Sequence, residues 1–302
     1  MAIFVPFTIK IDFLMQIKEL EDIASQVRRD IVRMVHGCAS GHPGGSLGCT
    51  DLLVGLYFQQ MKISNRKGKG GFLSFRMDGV NEDLFFLSNG HISPVFYSVL
   101  ARRGYFDVAE LSTFRKIDSR LQGHPTTHEH LPGIRVASGS LGQGMSVAIG
   151  AALAKKLNGD DRMVYVLMGD GEQQEGQIWE AAQFAPHHKV DNLVAVIDLN
   201  GQQIDGSTDQ VMNNRDLKAK YKAFGWRVME IANGNDMEEV VKGLRKAKRI
   251  SGKGQPIMIL MNTEMGAGVD FMMGSHKWHG IAPNDEQLAA ALAQLPETLG
   301  DY

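Results

Sequence analysis

Three short apolar runs constrain the fold more than any other feature: MVYVLM at 163–168, LVAVIDL at 193–199 and PIMILMN at 256–262. They are too short for buried helices, and they lack the alternation of a half-exposed strand. Near-continuous apolar character marks strands covered on both faces, as in a parallel sheet. DLFFLS at 83–88 reads the same way, and 226–231 is a weaker example. Segments with helical spacing at 144–157, 176–186 and 236–249 separate them. Alternating strand and helix predicts an α/β fold: an open, mostly parallel sheet with helices on both faces.

Apolar residues at helical spacing predict a long helix over about 14–35. The glycine-rich stretch Ser40-Gly41-His42-Pro43-Gly44-Gly45 reads as a turn, with a second helix starting near Thr50 as its N-cap. Residues 64–80 (SNRKGKGGFLSFRMDGV) read as a solvated basic loop. No repeat, linker or boundary divides the chain, so all 302 residues are expected in one domain with an N-terminal helical arm. The opening MAIFVPFTIKIDFLM has no basic start, and Lys10 and Asp12 interrupt it, so it is not read as a signal peptide. It is either an arm that packs on a partner or a tail. No stretch reaches the length of a membrane span.

A formal net charge of -2 gives no electrostatic case for nucleic acid or an anionic membrane. Cys38 and Cys49 form neither a disulfide framework nor a CxxC pair, and free thiols suit a cytoplasmic location. Among the ten histidines, His128 with His130, and His187 with His188, lack partners at zinc spacing and read as surface residues. His36 reads as a helix-end residue.

In open parallel sheets ligands sit beyond the carboxyl ends of the strands. Gly169-Asp170-Gly171 follows one run, Asn200 the next, Glu264-Met265-Gly266 the third, and His91 comes just after DLFFLS. Asp170 and Asn200, thirty residues apart, can converge on a hard cation. Mg²⁺ takes oxygen ligands in near-octahedral geometry and usually shares them with phosphate. Asp supplies a carboxylate, Asn an amide oxygen, and a backbone carbonyl just after Asn200 a third ligand. The glycines beside Asp170 permit a tight turn and close approach of a diphosphate, and the helix expected after Gly171 offers free N–H groups. A P-loop is absent, and GSLGQG at 139–144 lacks the spacing of a dinucleotide-binding turn.

GDG followed about thirty residues later by Asn resembles the fingerprint of thiamine diphosphate enzymes. SGHPGGSLG, LSNGHISPVFYSVLARRGYF, LQGHP, SGSLGQGMSVAIGAALA, GDGEQQEGQIWEA and GSHKWHG, in that order, resemble the transketolase family. The resemblance runs from about residue 20 to about 290. It is strongest to the N-terminal subunit of split bacterial transketolases. It implies a thiamine diphosphate-binding fold of the diphosphate-holding type. By resemblance Asp170, Asn200 and the Gln202 backbone carbonyl bind Mg²⁺, or Ca²⁺ or Mn²⁺ in its place, and the Gly171 backbone meets the diphosphate. His91 and His279 match diphosphate contacts, Gly139, Ser140 and Leu141 lie near the aminopyrimidine, and Ile204 touches the thiazolium. His42 and His124 match substrate-facing histidines, and His279 joins them as a catalytic candidate. Glu175 and Glu180 match acidic residues facing the other half of the cofactor site.

The implied reaction is transfer of a two-carbon ketol unit from a ketose or ketose phosphate to an aldose or aldose phosphate. Histidines suit the proton movements this needs near neutral pH. In the family, the glutamate that activates the ring lies on a pyrimidine-binding domain with no counterpart here. Glu172, Glu175 and Glu264 do not replace it. A separate C-terminal subunit is therefore expected to complete each site, as an α₂β₂ assembly inactive without it. The alternatives are a component of another thiamine diphosphate enzyme (a deoxyxylulose phosphate synthase or a 2-oxo acid dehydrogenase) and a non-catalytic cofactor-binding paralogue.

Overall fold

The computed structural model describes the backbone of residues 8–302, and the side chains from Ile17 onward except that of Lys69. Of the apolar N-terminal stretch, residues 1–7 lie outside the described residues. The strands are β1 (Leu84–Leu87), β2 (Val164–Gly169), β3 (Leu193–Leu199), β4 (Gln202–Gln203), β5 (Gly206–Ser207), β6 (Arg227–Ile231) and β7 (Ile257–Asn262). Five of them form one parallel sheet in the order β1-β2-β3-β7-β6, and β4 and β5 make a small antiparallel hairpin just past β3. The α/β reading of the apolar runs is correct, and their ends shift by one residue or so.

The helices are α1 (Thr8–Gly37), α2 (Pro43–Gly48), α3 (Thr50–Val54), α4 (Ser93–Arg103), α5 (Gln143–Leu157), α6 (Gly176–His187), α7 (Thr208–Met212), α8 (Leu217–Phe224), α9 (Met237–Ile250) and α10 (Asp285–Gln294). Successive strand residues point to opposite faces. Phe85, Leu87, Tyr165, Leu167, Val194, Val196, Ile257 and Ile259 join the apolar layer under α1, α3, α4 and α9. Phe86, Val164, Val166, Met168, Ala195, Ile197, Met258 and Leu260 join the layer under α5, α6 and α8. Both faces are thus covered, which is why the strand sequences are apolar throughout. Among the described residues no helix is long and apolar enough to cross a membrane.

The expectation for 40–50 needs correction. A short helix, α2, already starts at Pro43 inside the stretch read as a turn, while α3 starts at Thr50 as expected, with Cys49 and not Thr50 in the cap position. Thr50 is buried inside the helical run, and its hydroxyl donates to the Ser46 carbonyl at 3.0 Å. It bonds back along the helix and caps nothing. The glycine pair serves packing: a Cβ on Gly44 would lie 2.6 Å from Met265 and 2.8 Å from the Trp278 carbonyl. A glycine-rich start therefore reads as a turn in sequence yet lets α2 press against the 265–279 segment. The loop over 64–80 is a loop as expected, with one bridge between Lys67 and Leu73 and a buried Leu73.

The registers decide where chemistry can sit. Gly169 pairs with Asp198, and Leu199 pairs with Asn262, so β2, β3 and β7 end at nearly one level. Their following residues face a common space.

Candidate cofactor site at the strand ends

A cleft of about 380 Å³ opens at the carboxyl ends of the central strands. His42, His91, Gly139, Leu141, Asp170, Gly171, Glu175, Asn200, Gln202, Ile204 and His279 all line it, from six separate stretches of chain. His124 stands at its margin, with its ring 6.4 Å from that of His42, and opens onto an adjoining groove with Arg115 and Gln122. Ser140 and Glu180 are exposed and outside the cleft lining. Glu175 is exposed at the N-terminus of α6.

Four imidazoles cluster here. The His42 ring lies 5.1 Å from His91 and 5.6 Å from His279, and His91 lies 5.0 Å from His279. Burial is the first cause lowering the basicity of each. It takes His42 down to about 4, helped by His279, Arg115 and His124. His91 falls well below its usual value, and His124 and His279 fall as well. Near neutral pH all four are therefore neutral, each with one N–H donor and one acceptor nitrogen. His42 Nδ1 is buried with no partner, a polar atom left ready for a ligand.

Across the cleft the Asp170 carboxylate is buried and accepts from the N–H groups of Gly171 at 2.7 Å and Gly201 at 2.6 Å. Burial, then the nearby Asp198 carboxylate, pushes its pKa up to about 7 against those two donors. No basic side chain figures among the influences on it. A buried carboxylate beside a second one, without a cation, is costly, and a bound cation would relieve the cost. The oxygens on offer are the Asp170 carboxylate, the Asn200 amide and the backbone of Gln202, a hard-oxygen set that fits Mg²⁺ and its neighbours. Among the described residues no group of three His, Cys, Asp or Glu side chains could hold a metal, so a cation here depends on amide and backbone oxygens. Asn89 Oδ1, also in the lining, is buried and unpartnered. Ile204 supplies an apolar surface, 56% exposed at the cleft. Buried carboxylate, unpartnered polar atoms and an exposed apolar side chain fit a diphosphate–metal cofactor with an organic ring.

One sequence expectation fails here. The segment after Gly171 is a single 3₁₀ turn, Gly171–Gln174, with α6 starting only at Gly176. The Gly171 N–H is not free for an anion, because it donates to Asp170. The backbone still comes close to the cleft at glycines. Gly139 has φ +135, and a Cβ there would lie 3.0 Å from the His124 ring.

Sequence reasoning missed two buried carboxylates. Asp198 accepts from the Asn200 amide at 2.7 Å and from the Thr263 hydroxyl. Its position inside LVAVIDL was the signal, since an ionisable residue in a fully apolar strand needs a reason. Glu172 is 2% exposed and accepts from Ser88 Oγ, from Gly142 N at 2.7 Å and from Gly169 N at 3.0 Å. The surface histidines behave differently. His36 Nε2 meets Asp285 at 2.8 Å, which ties the end of α1 to α10, while His128, His130, His187 and His188 are exposed away from the cleft.

Residues 20–297 match the family model described as "Transketolase, thiamine diphosphate binding domain". An apulose-4-phosphate transketolase subunit from Phocaeicola vulgatus is 38% identical, with 94% of this chain and 96% of that protein covered. The 6-deoxy-6-sulfo-D-fructose transketolase subunit SqwG of a Clostridium species is 37% identical, with 92% and 96% covered. Among solved structures, transketolase from Leishmania mexicana superposes with a TM-score of 0.82 at 33% identity. The chain covers 91% of itself in that match but only 41% of the solved chain. By sequence and by fold, this chain belongs to the transketolase family and carries its thiamine diphosphate binding domain.

Proposed function

We propose that this chain is the diphosphate-holding half of a two-subunit transketolase, one domain over 1–302 with an N-terminal helical arm, acting in the cytoplasm. In this reading it binds Mg²⁺ (or Ca²⁺ or Mn²⁺) and thiamine diphosphate. A separate subunit brings the pyrimidine-binding domain and the ring-activating glutamate, in an α₂β₂ assembly. The reaction moves a two-carbon ketol unit from a ketose or ketose phosphate to an aldose or aldose phosphate. Support for the partner comes from relatives that are themselves named as transketolase subunits and are matched over 96% of their length. The single observation that carries the cofactor reading is the buried Asp170 carboxylate, which accepts from two backbone N–H groups and faces a cleft lined by His42, His91 and His279.

Asp170, Asn200 and the Gln202 carbonyl would hold the metal. His91, the Gly171 backbone and His279 would surround the diphosphate, Gly139, Ser140 and Leu141 would border the aminopyrimidine, and Ile204 would pack on the thiazolium. Bound thiamine diphosphate supplies an electron sink for breaking and making the carbon–carbon bond. The chain's own work is positioning and proton handling. His42, His124 and His279 are neutral, so each can donate a hydrogen bond to a substrate oxygen and take up a proton from a hydroxyl. Glu175 sits at the cleft rim, where the partner would close the site.

Calorimetric titration of thiamine diphosphate into the chain with its partner, in the presence of Mg²⁺, tests the reading. Binding should require the metal, and Asp170→Ala should abolish the metal-dependent component. Equal affinity in the variant would show that Asp170 is not a ligand.

A further inference from the structure

Asp198 is a carboxylate buried beside the proposed metal ligands whose role the reading above leaves open. It lies on β3 two residues before Asn200 and is 1% exposed. Its Oδ2 accepts from Asn200 Nδ2 at 2.7 Å, and its Oδ1 accepts from the Thr263 hydroxyl at the end of β7. The Cys49 thiol donates to it as well. An ionised carboxylate can only accept, so the end of the Asn200 amide that faces it must be the NH₂. The oxygen is then forced to the other end. There Asn200 Oδ1 accepts from the Gln202 N–H at 2.9 Å, which demands the same orientation independently.

We propose that Asp198 is a positioning residue for the metal, whose carboxylate, held by Thr263 and Cys49, fixes the Asn200 amide with its oxygen available as a ligand. The proposal rests on the cofactor reading above. It explains why position 200 is an amide. The residue there must donate on one side and offer a hard oxygen on the other, as a side-chain amide does. A carboxylate at 200 would instead set two negative charges within hydrogen-bonding distance. It also explains why β3, otherwise apolar, carries an acid at this point.

Partners that orient metal ligands typically matter by about tenfold or more in metal affinity. The test titrates Mn²⁺ into the complex of the chain with its partner subunit and thiamine diphosphate, following free Mn²⁺ by electron paramagnetic resonance. Asp198→Asn should weaken Mn²⁺ about tenfold, since the amide at 200 is no longer locked in one orientation. Asn200→Asp should weaken it at least as much. Combining the two should recover most of the loss, because the amide now at 198 can donate to the carboxylate at 200. A merely structural role for Asp198 would make the double exchange worse than either single change. Wild-type affinity in Asp198→Asn, or no recovery in the double exchange, would overturn the proposal. If Asp198→Asn does not fold, Thr263→Val against Thr263→Ser carries the same test. Only the valine should weaken Mn²⁺, and equal affinities would count against the proposal. A wild-type complex that binds no Mn²⁺ in the presence of thiamine diphosphate would overturn the cofactor reading, and this proposal with it.

Discussion

His42 owes its chemistry to its surroundings. Burial, with the neighbouring His279, Arg115 and His124, lowers its pKa to about 4. The consequence for activity has a definite sign. A free imidazole would gain its proton near pH 6.5, whereas His42 stays neutral until the pH approaches 4. Replacing it with Ala should reduce ketol transfer by about a hundredfold or more, with little change in cofactor affinity. The consequence for stability runs the same way. A histidine with a depressed folded pKa binds fewer protons folded than unfolded, so its contribution is present above the unfolded value and lost as pH falls through the folded one. The stability difference between wild type and His42→Gln should therefore change between about pH 6.5 and 4 and level off on either side. Denaturant titrations at a series of pH values measure this, and a change confined to alkaline pH would refute it. Much of this residue-scale picture was legible in the sequence, because the glycines and prolines around His42, His91, His124 and His279 mark strand ends and turns. The neutrality of the cluster was not. It depends on rings brought together from stretches far apart in the chain.

At the scale of elements, the strands were readable because β2, β3 and β7 are buried on both faces and so are almost wholly apolar, with Asp198 in β3 as the buried exception. The start of α2 was not readable. A Pro-Gly-Gly sequence has poor helix propensity, and only tertiary packing against Met265 and Trp278 makes it helical. Nor was the role of Glu172, an acid in a turn whose partners all lie elsewhere. It joins the end of β1 through Ser88, the end of β2 through Gly169, and the start of α5 through Gly142. Ser88 Oγ in turn accepts from Gly144 N at 3.1 Å, so the two side chains together cap α5 from outside its own sequence. Glu172→Gln turns an NH₂ towards groups that are themselves donors. It should cost about 1–3 kcal/mol, measured by denaturant unfolding. A variant as stable as wild type would mean that these contacts do not hold the loops. Gly139→Ala should be harmful in another way, because φ +135 disfavours any side chain and a Cβ would press on the His124 ring. Its expected mark is weaker substrate use with near-normal folding, seen as a fall in kcat/KM.

At the scale of the molecule, parallel connection delivers the function. Each crossover helix returns the chain to the same edge of the sheet, so residues from six stretches meet at one cleft. The frame is closed behind the sheet by a clasp on the residues around 299–302. Asp301 pairs with Arg29 at 2.7 Å and Arg33 at 2.6 Å, and also accepts from Gln26 at 2.9 Å. Its hydrogen bond with Arg29 holds its carboxyl far below the usual carboxylate range. Its stabilising effect is thus present above the unfolded pKa of about 4 and lost as pH falls further. Asp301→Asn should lower stability at pH 7 by about 1–3 kcal/mol, and the deficit should shrink in acid. In the proposed function the molecule as a whole presents half of a reaction site: a metal-suited acid, a cleft for the diphosphate and neutral histidines. The most direct test of that view is the rate of ketol transfer from a ketose donor to an aldose acceptor, with thiamine diphosphate and Mg²⁺ supplied. The rate is measured for the purified chain alone and then mixed with its C-terminal partner subunit. Turnover should appear only in the mixture, whereas strong turnover by the chain alone, or none from the mixture across a panel of ketoses, would contradict the account.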